Sequence, residues 1–279
     1  MFLGFNTATF TASALKLGYP SAVRIFATTA NFDGSVNVAD RIADVRAQIE
    51  FYNAKGVSVF FSEKPKPADV ISGVLDPYFI ALGFMFKALG DEYGIQNYYT
   101  DWHEPENDIK TTAHPNNPID SPGQFAEMLD HVHHVVHQVA TDEYVEIGPV
   151  YMAFQWEDAT KGEYKVLTPA DWFPVKRDFV GADVYSDLYQ KLKTKLSQHT
   201  GWLKILANSG DSAMFIVERG IKDHAQQATS LVADFGYLAS LDNFVIGMLY
   251  WENTGDAGDW KLAADAADEW KSYNYLTSA

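Results

Sequence analysis

The chain has 279 residues, of which 47% are hydrophobic and 14% aromatic, and this composition excludes a disordered chain. Lys and Arg total 21 against 37 Asp and Glu, so the net charge is −16, which repels phosphate groups and excludes nucleic acid and anionic membranes as expected partners. The chain contains no cysteine, which excludes disulfides, thiolate metal ligands and a cysteine nucleophile.

Eight short apolar runs recur along the chain and predict β-strands. Most of them are continuously apolar and do not alternate, which is typical of parallel strands that helices cover on their outer face. The eight runs are Phe2–Phe5, Ala22–Ala27, Val57–Ser62, Asn97–Trp102, Val145–Phe154, Phe179–Tyr185, Ala213–Glu218 and Phe244–Trp251.

Helical patterns fill most of the gaps between these runs. The clearest is Val38–Lys55, whose apolar residues recur at helical spacing and are followed by Gly56 as a C-cap. Ser121 and Pro122 form a start signal for a helix that continues to Val139. Helices are also predicted over Pro77–Leu89, Leu188–Ala207, Ala225–Leu238 and Ala264–Trp270, and helix signals are weak over Thr11–Pro20 and Glu157–Lys176.

Eight strand and helix alternations predict an α/β fold, a (β/α)8 TIM barrel that forms a single domain over residues 1–279. The alternative is an open doubly wound sheet, but the GxGxxG motif that usually follows its first strand is missing. No apolar stretch is long enough for a transmembrane helix. The first residues, MFLGFNTATF, do not have the pattern of a signal peptide.

The residues that follow the predicted strands indicate the chemistry, because active sites of such barrels lie at the carboxyl ends of the strands. These positions combine carboxylates with aromatic residues and contain few cations, which is typical of sugar sites. Glu104 follows the fourth run and Glu218 ends the seventh. Strands four and seven lie nearly opposite in an eight-stranded barrel, so this pair is predicted to perform acid/base and nucleophilic work on a glycosidic bond.

The motif His103-Glu104-Pro105, together with Glu218 at the end of the seventh run, resembles clan A of the retaining glycoside hydrolases. In that clan the acid/base Glu follows strand four, commonly within Asn-Glu-Pro, and the nucleophile Glu ends strand seven. A His before the acid/base Glu is similar to glycoside hydrolase family 26, which includes β-mannanases. The continuation Pro-Glu-Asn departs from that family, so a divergent or separate family of the clan is the alternative.

The resemblance implies roles for individual residues. Glu218 would be the nucleophile and Glu104 the acid/base. Arg24 resembles the strand-two Arg that touches the nucleophile, Tyr185 the strand-six Tyr that hydrogen-bonds it, and Trp251 the strand-eight Trp beneath the sugar at subsite −1. His103 replaces the Asn that contacts the sugar 2-hydroxyl and must act differently.

Three further residues are candidates for binding substrate from their position alone. Asp183 shares a strand face with Tyr185, and Trp102 is a possible platform for a sugar ring. Lys64 follows the third run, where it would contact substrate or pair with Glu63.

Several competing assignments are weighed against these roles. Glu106 is the nearest rival of Glu104, and Glu252 is a rival of Glu218, which could itself simply pair with Arg219. The histidines of the helix predicted from Ser121 to Val139 are expected to lie mostly on its exposed face, so no metal site and no cofactor is predicted; they are His131, His133, His134 and His137.

The predicted function is therefore retaining, endo-acting hydrolysis of a polysaccharide or oligosaccharide by a monomer. The alternative is a non-catalytic carbohydrate-binding barrel, such as an adhesion or tail-type module. A third reading is a barrel aldolase with Lys64 as a Schiff base. The substrate class suggests an extracellular or virion-associated location.

Overall fold

The computed structural model describes residues 2–6, 21–27, 32–157, 168–186, 196–210, 212–241, 245–251, 254–255, 258–259 and 263–277. No helix among these residues is both long enough and apolar enough to cross a membrane.

The strands occur along the chain in the order that the sequence predicts. They are β1 (Phe2–Asn6), β2 (Ala22–Phe26), β3 (Ser58–Ser62), β4 (Asn97–Thr100), β5 (Val145–Ile147), β6 (Val150–Met152), β7 (Phe179–Ser186), β8 (Ala213–Ile221) and β9 (Val245–Trp251), with two short strands β10 (Thr254–Gly255) and β11 (Gly258–Asp259).

Helices occupy most of the connections in the described part of the chain. They are α1 (Val38–Asn53), α2 (Pro67–Ile71), α3 (Asp76–Tyr93), α4 (Pro122–Val136), α5 (Thr200–Asn208), α6 (Gln227–Ala239) and α7 (Ala264–Thr277), and short 3₁₀ turns are found at Pro105–Asn107, Ala153–Trp156, Pro169–Trp172, Leu196–Gln198 and His224–Gln226.

The nine longer strands form one sheet in the order β5-β4-β3-β2-β1-β9-β8-β7-β6. The strands that begin and end this order, β5 and β6, are two segments of a single predicted run, separated by Gly148 and Pro149. Strand pairs in both halves of the order are parallel. Parallel strands that alternate with helices confirm the predicted α/β class. A (β/α)8 barrel has this strand order when the listing begins and ends at the break within its fifth strand.

The chain divides into two compact units. The first unit comprises Met1–Arg24, Met152–Lys165 and Gly181–Ala279, and the second comprises Ile25–Tyr151 and Val166–Val180. The expectation of a single domain over residues 1–279 stays a prediction.

In the first unit, β1 pairs in parallel with β2 and with β9, and β9 pairs with β8. The register sets Asn6 of β1 beside Arg24 of β2 on one side and beside Trp251 of β9 on the other. The carboxyl ends of these strands therefore reach the same level, which is where the sequence places its candidate site.

In the second unit, β3, β4 and β5 are parallel neighbours, with Ser62 beside Thr100 and Tyr99 beside Ile147. Helix α4 begins at the predicted cap, because the Ser121 hydroxyl accepts a hydrogen bond from the Gln124 N–H at 3.1 Å. Its apolar stripe is buried, as predicted for its core-facing side; the buried residues are Phe125, Met128, Leu129, Val132, Val135 and Val136.

The fifth predicted strand, Val145–Phe154, is interrupted in the structure by Gly148. A Cβ atom on Gly148 would lie 2.2 Å from the carbonyl oxygen of Phe179 and 2.9 Å from its carbonyl carbon. The two backbones approach so closely that only glycine fits, and the strand splits into β5 and β6 at this point. Hydrophobic patterning does not reveal this constraint, because it lies between segments distant in sequence.

Two helix predictions also differ from the structure. Helix α2 was not predicted, since its five residues are too few to show helical periodicity. The predicted helix Leu188–Ala207 begins among residues outside the described part of the chain, and within the described part it is present as α5, from Thr200. Thr11–Pro20 also lies outside the described residues.

We expect Gly148→Ala to lower the free energy of unfolding by about 1–3 kcal/mol or more, because the added methyl group meets backbone atoms that cannot rotate away. The control is Gly236→Ala in α6, where an added Cβ meets nothing within 4 Å. Alanine favours helix, so the control is expected to gain up to about 1 kcal/mol. Urea titration of both variants measures this, and a wild-type midpoint for Gly148→Ala would contradict it.

Candidate active site

Glu218 lies in β8 with only 4% of its surface exposed, and a donor meets each of its carboxylate oxygens. The Arg24 guanidinium lies 2.8 Å from Oε1, measured from Nη1. The Tyr185 hydroxyl donates to Oε2. The carboxylate is therefore held in one orientation by a cation and a phenol, which is the preorganisation that a catalytic carboxylate requires.

Arg24 also contacts a second carboxylate, that of Asp183, at 2.9 Å from Nη1 to Oδ1. Arg24 and Asp183 are both 0% exposed. One buried guanidinium therefore neutralises two buried carboxylates in part and fixes the distance between them. Strand alternation places Asp183 and Tyr185 on the same side of β7, as the sequence predicts, so both reach this cluster.

Arg219, the alternative partner of Glu218, points elsewhere. Its Nε donates to the Asp234 carboxylate of α6 at 2.7 Å, and its Nη1 donates to the Gly220 carbonyl oxygen at 2.9 Å. Successive residues of a strand face opposite sides, so Glu218 and Arg219 do not compete for one partner. The interpretation of Glu218 as one half of a local ion pair with Arg219 is therefore wrong.

Glu104, in the second unit, has an unusual backbone conformation. Its φ of 51° and ψ of 52° make it the one non-glycine residue with positive φ among those that the structure describes. This conformation costs a residue with a side chain about 1–2 kcal/mol. The Glu104 N–H donates to the Val150 carbonyl oxygen at 2.8 Å, which anchors the strained turn to β6. Such strain concentrates at functional sites, where the surrounding structure enforces it.

The Glu104 side chain has a polar neighbour in its own turn. The Asn107 Nδ2 group donates to Glu104 Oε2 at 3.0 Å. His103 precedes Glu104, pairs with Val150 in a parallel bridge, and has its ring centre 4.9 Å from that of Phe26. Glu106, the rival carboxylate, is fully buried.

Trp102, Lys64 and Asp108 form a second group of contacts in this unit. Trp102 is 1% exposed, and its indole N–H donates to Asp108 Oδ2 at 2.8 Å. Lys64 Nζ lies 2.5 Å from the same oxygen and 5.4 Å from the centre of the Trp102 ring. An indole buried to this degree has no face open for a sugar, so this placement corrects the expectation of a Trp102 platform. Lys64 pairs with Asp108 and not with Glu63.

A buried polar network lies at the carboxyl ends of β3 and β4. Glu63 accepts hydrogen bonds from the Tyr78 hydroxyl at 2.7 Å and the Tyr99 hydroxyl at 2.6 Å, and pairs with Arg41 at 2.8 Å. Burial raises the pKa of Glu63 despite the opposing charge of Arg41. Burial, with the negative charge of Glu63 adding to it, raises the pKa of Asp101 to about 8.

Sequence reasoning missed Asp108, Asn107 and Arg41. Asp108 and Asn107 belong to the loop that carries Glu104. Their closeness to Glu104 in sequence was the signal that could have identified them. Arg41 lies four residues before Val45, on the buried face of α1, and that spacing was an available signal; its contact with Glu63 depends on tertiary packing. Trp251 ends β9, but its side chain and the whole of Glu252 lie outside what the structure describes.

The structure brings the predicted residues into two groups. Arg24, Asp183, Tyr185 and Glu218 contact one another in the first unit. Lys64, Trp102, His103 and Glu104 lie along two adjacent strand ends of the second unit.

No protein-family model and no curated protein sequence matches the chain. Solved structures do match. GH5_18 from Bifidobacterium longum subsp. longum is 14% identical with a TM-score of 0.67, covering 100% of this chain and 80% of that one. The catalytic domain of the GH26 endo-β-1,4-mannanase from Bacillus sp. JAMB-750 is 12% identical with a TM-score of 0.65, covering 99% and 85%.

The GH26 β-mannanase BoMan26A of Bacteroides ovatus is a third match, 14% identical with a TM-score of 0.58 over 98% of this chain and 88% of that one. At these low identities, the structural matches show a shared fold and nothing more. The predicted TIM-barrel fold and the resemblance to clan A glycoside hydrolases are thereby confirmed at the level of architecture.

We expect Arg24→Met to lower the free energy of unfolding by about 3–5 kcal/mol at neutral pH, because it leaves Asp183 and Glu218 buried without their cation. The control is Arg46→Met, which removes an exposed arginine paired with Glu50 and should cost about 1 kcal/mol or less. Urea titrations at neutral pH test this, and equal losses in both variants would contradict it.

The Asp101 carboxyl should make stability depend on pH. It titrates near pH 8 in the folded chain and near pH 4 when unfolded. Between these values the folded state holds a proton that the unfolded state has lost, so stability falls as pH rises. We therefore expect Asp101→Asn to become progressively more stable than wild type from about pH 4 to about pH 8, with no further change above.

The control for this measurement is Asp120→Asn. Asp120 is exposed, and its hydrogen bond with Lys110 lowers the pKa of its carboxyl, so its removal should give no advantage that grows over that range. Urea titrations at several pH values compare the variants. An Asp101→Asn advantage that is constant with pH would refute the assigned pKa.

Proposed function

We propose that the protein is a retaining glycoside hydrolase that cleaves a polysaccharide within its chain. The observation that carries this proposal is Glu218, a nearly buried carboxylate in β8 whose two oxygens are met by Arg24 and Tyr185. The fold shared with GH26 and GH5_18 structures supports the same class.

Glu218 is the proposed nucleophile. It attacks the anomeric carbon of the sugar, forms a covalent ester with it, and the bond from that carbon to the leaving oxygen breaks. Arg24 and Tyr185 orient the attacking carboxylate, and Asp183 in turn orients Arg24. Orientation by fixed neighbours is favourable because no reorganisation is needed during the reaction.

Glu104 is the proposed acid/base. It gives its proton to the leaving oxygen in the first step, then takes a proton from the water that hydrolyses the ester. Asn107 holds one oxygen of Glu104, and the left-handed backbone fixes where its side chain starts. His103, the preceding residue, is a candidate for contact with a sugar hydroxyl.

The substrate class is proposed from chemistry and from likeness. Carboxylates and aromatic residues at strand ends suit an uncharged sugar chain. The matching structures include proteins named as endo-β-1,4-mannanase and β-mannanase. Mannans and β-glucans therefore come first in a substrate panel, followed by xylans, galactans, arabinans and bacterial cell-wall glycans.

We expect wild type to release sugars from at least one polysaccharide of the panel. Glu104→Gln should then lose about 10²–10⁴-fold in kcat, and Glu218→Gln at least as much, with circular dichroism unchanged. The matched control is Glu127→Gln, an exposed glutamate on α4, which should keep full activity. Endo action predicts a rapid fall in viscosity before reducing ends accumulate.

Azide rescue separates the two roles, using an aryl glycoside of the sugar found. In Glu218→Ala, azide takes the place of the missing nucleophile and should yield a glycosyl azide of inverted configuration. In Glu104→Ala, azide should intercept the ester on Glu218 and yield a product of retained configuration. The opposite pair of outcomes would exchange the two assignments, and rescue of neither variant would overturn them.

The same panel tests the alternative of a carbohydrate-binding barrel. Tight binding on a glycan array by folded wild type, without product release from that glycan, would establish binding and refute hydrolysis.

A further inference from the structure

His133, His137 and Asp178 form a compact group in the second unit, apart from Glu104. The two histidines occupy the end of α4, four residues apart and on one side of the helix, and Asp178 immediately precedes β7. We refer to these three residues as the His–His–Asp cluster. Glu104, by contrast, follows the carboxyl end of β4.

The cluster is held together by contacts to a single carboxylate. His133 Nε2 lies 3.0 Å from Asp178 Oδ1, and His137 Nε2 lies 2.8 Å from Asp178 Oδ2. The two imidazole centres are 4.3 Å apart. One ligand atom from each residue lies within 4.8 Å of the other two.

The backbone fixes the orientation of the cluster. The His137 Nδ1 atom lies 2.6 Å from the Ala140 carbonyl oxygen, a distance that requires a proton on Nδ1. In a neutral ring the other nitrogen, Nε2, then carries a lone pair directed at the Asp178 carboxylate. Nε2 is thus the nitrogen that faces Asp178, and its lone pair can be offered to a metal ion there.

The same features are those of a metal-binding histidine. A ligating imidazole typically donates its other N–H to a backbone carbonyl, as His137 does to Ala140. A ligating carboxylate is typically itself hydrogen-bonded, and Asp178 Oδ2 accepts from the Ile147 N–H at 2.8 Å. The outer partners of a site are therefore present together with the three inner ligands.

We propose that the His–His–Asp cluster binds a divalent transition-metal ion of the zinc class, through Nε2 of His133, Nε2 of His137 and one oxygen of Asp178. Two imidazoles and a carboxylate suit Zn²⁺, and they disfavour Mg²⁺ and Ca²⁺, which take oxygen ligands. A fourth position remains for water. This site revises the expectation, drawn from the sequence, that the helix holds no metal.

The dimensions of the cluster fit such an ion. Bonds of about 2.0–2.1 Å in tetrahedral geometry separate ligand atoms by about 3.3 Å. His133 Nε2 lies 3.0 Å from Asp178 Oδ1 and His137 Nε2 lies 2.8 Å from Oδ2, so each histidine is within a few tenths of an ångström of that separation from its nearer carboxylate oxygen. The three side chains are 16%, 16% and 19% exposed, so an ion can enter from solvent without unfolding the chain.

The surrounding charges favour a cation. Asp142 and Glu146 are the carboxylates that interact with the cluster, Asp142 with His137 and Glu146 with Asp178. They add negative potential to that of Asp178. A bound ion would join the end of α4 to the start of β7, and through Ile147 to β5, so it is expected to be structural.

The test uses tag-free full-length protein, freed of metal with a chelator and then titrated with Zn²⁺ or Co²⁺. We expect wild type to bind one equivalent, to unfold at higher temperature with Zn²⁺, and to give the intense visible absorption of tetrahedral Co²⁺, which Zn²⁺ abolishes. His133→Gln and His137→Gln should each weaken binding at least about 10- to 100-fold, the loss typical of even an outer partner. Glutamine retains an N–H donor toward Asp178, which favours folding of both variants.

His134→Gln is the matched control, because His134 lies on the same helix, is exposed and contacts Gln138 instead of Asp178. It should bind metal as wild type does. Stoichiometric binding that is unaffected in His133→Gln and His137→Gln would place the metal elsewhere, and no binding by folded wild type would overturn the proposal.

If either variant fails to fold, nuclear magnetic resonance of Co²⁺-loaded wild type decides. Two paramagnetically shifted histidine N–H signals support the site, and their absence overturns it. None of these readouts depends on glycosidase activity, so the metal site and the proposed function can fail separately.

Discussion

The first unit depends on a single buried cation in the middle of β2. Arg24 is fully enclosed and contacts Asp183 and Glu218 through the same nitrogen. Placing a guanidinium in the interior is costly unless carboxylates compensate it, and placing two carboxylates there is costly without a cation. Each member of the group therefore requires the others.

The second unit keeps its candidate acid in place by a different constraint. Glu104 adopts a left-handed backbone conformation that is unfavourable for a glutamate, and the bond from its N–H to Val150 holds that conformation. Orientation comes from the backbone here, whereas Glu218 is oriented by side chains. The difference suits the proposed roles. A nucleophile must present one charged oxygen, whereas an acid/base must exchange a proton with the leaving group and with water.

The sequence predicts the parts of this protein that depend on local pattern. The strand that leads to Glu218 begins with a continuous apolar run, the strand before Glu104 is rich in aromatic residues, and α4 has a cap, a proline and an apolar stripe, so all three are found near their predicted positions. The parts that depend on tertiary contact are not predictable in this way. Trp102 was expected to stack on a sugar, but its ring is buried and its indole N–H donates to Asp108. The close approach of the Phe179 backbone to Gly148 is likewise a tertiary contact that the sequence pattern does not show.

The chain has few cations to pair with its buried carboxylates. The chain has 21 Lys and Arg for 37 Asp and Glu, and three arginines are committed to buried carboxylates. They are Arg24, Arg41 with Glu63, and Arg219 with Asp234. Asp178 has no arginine among its hydrogen-bond partners in the described residues and uses two histidines.

The choice of histidine over arginine has a chemical consequence for that carboxylate. An arginine is permanently charged and cannot release its protons at ordinary pH, so an Arg–Asp pair is closed to other cations. An imidazole can give up the proton that it directs at a carboxylate and offer a lone pair to a metal in its place. Among the described residues, the end of α4 combines that chemistry with a carboxylate held in place by the backbone.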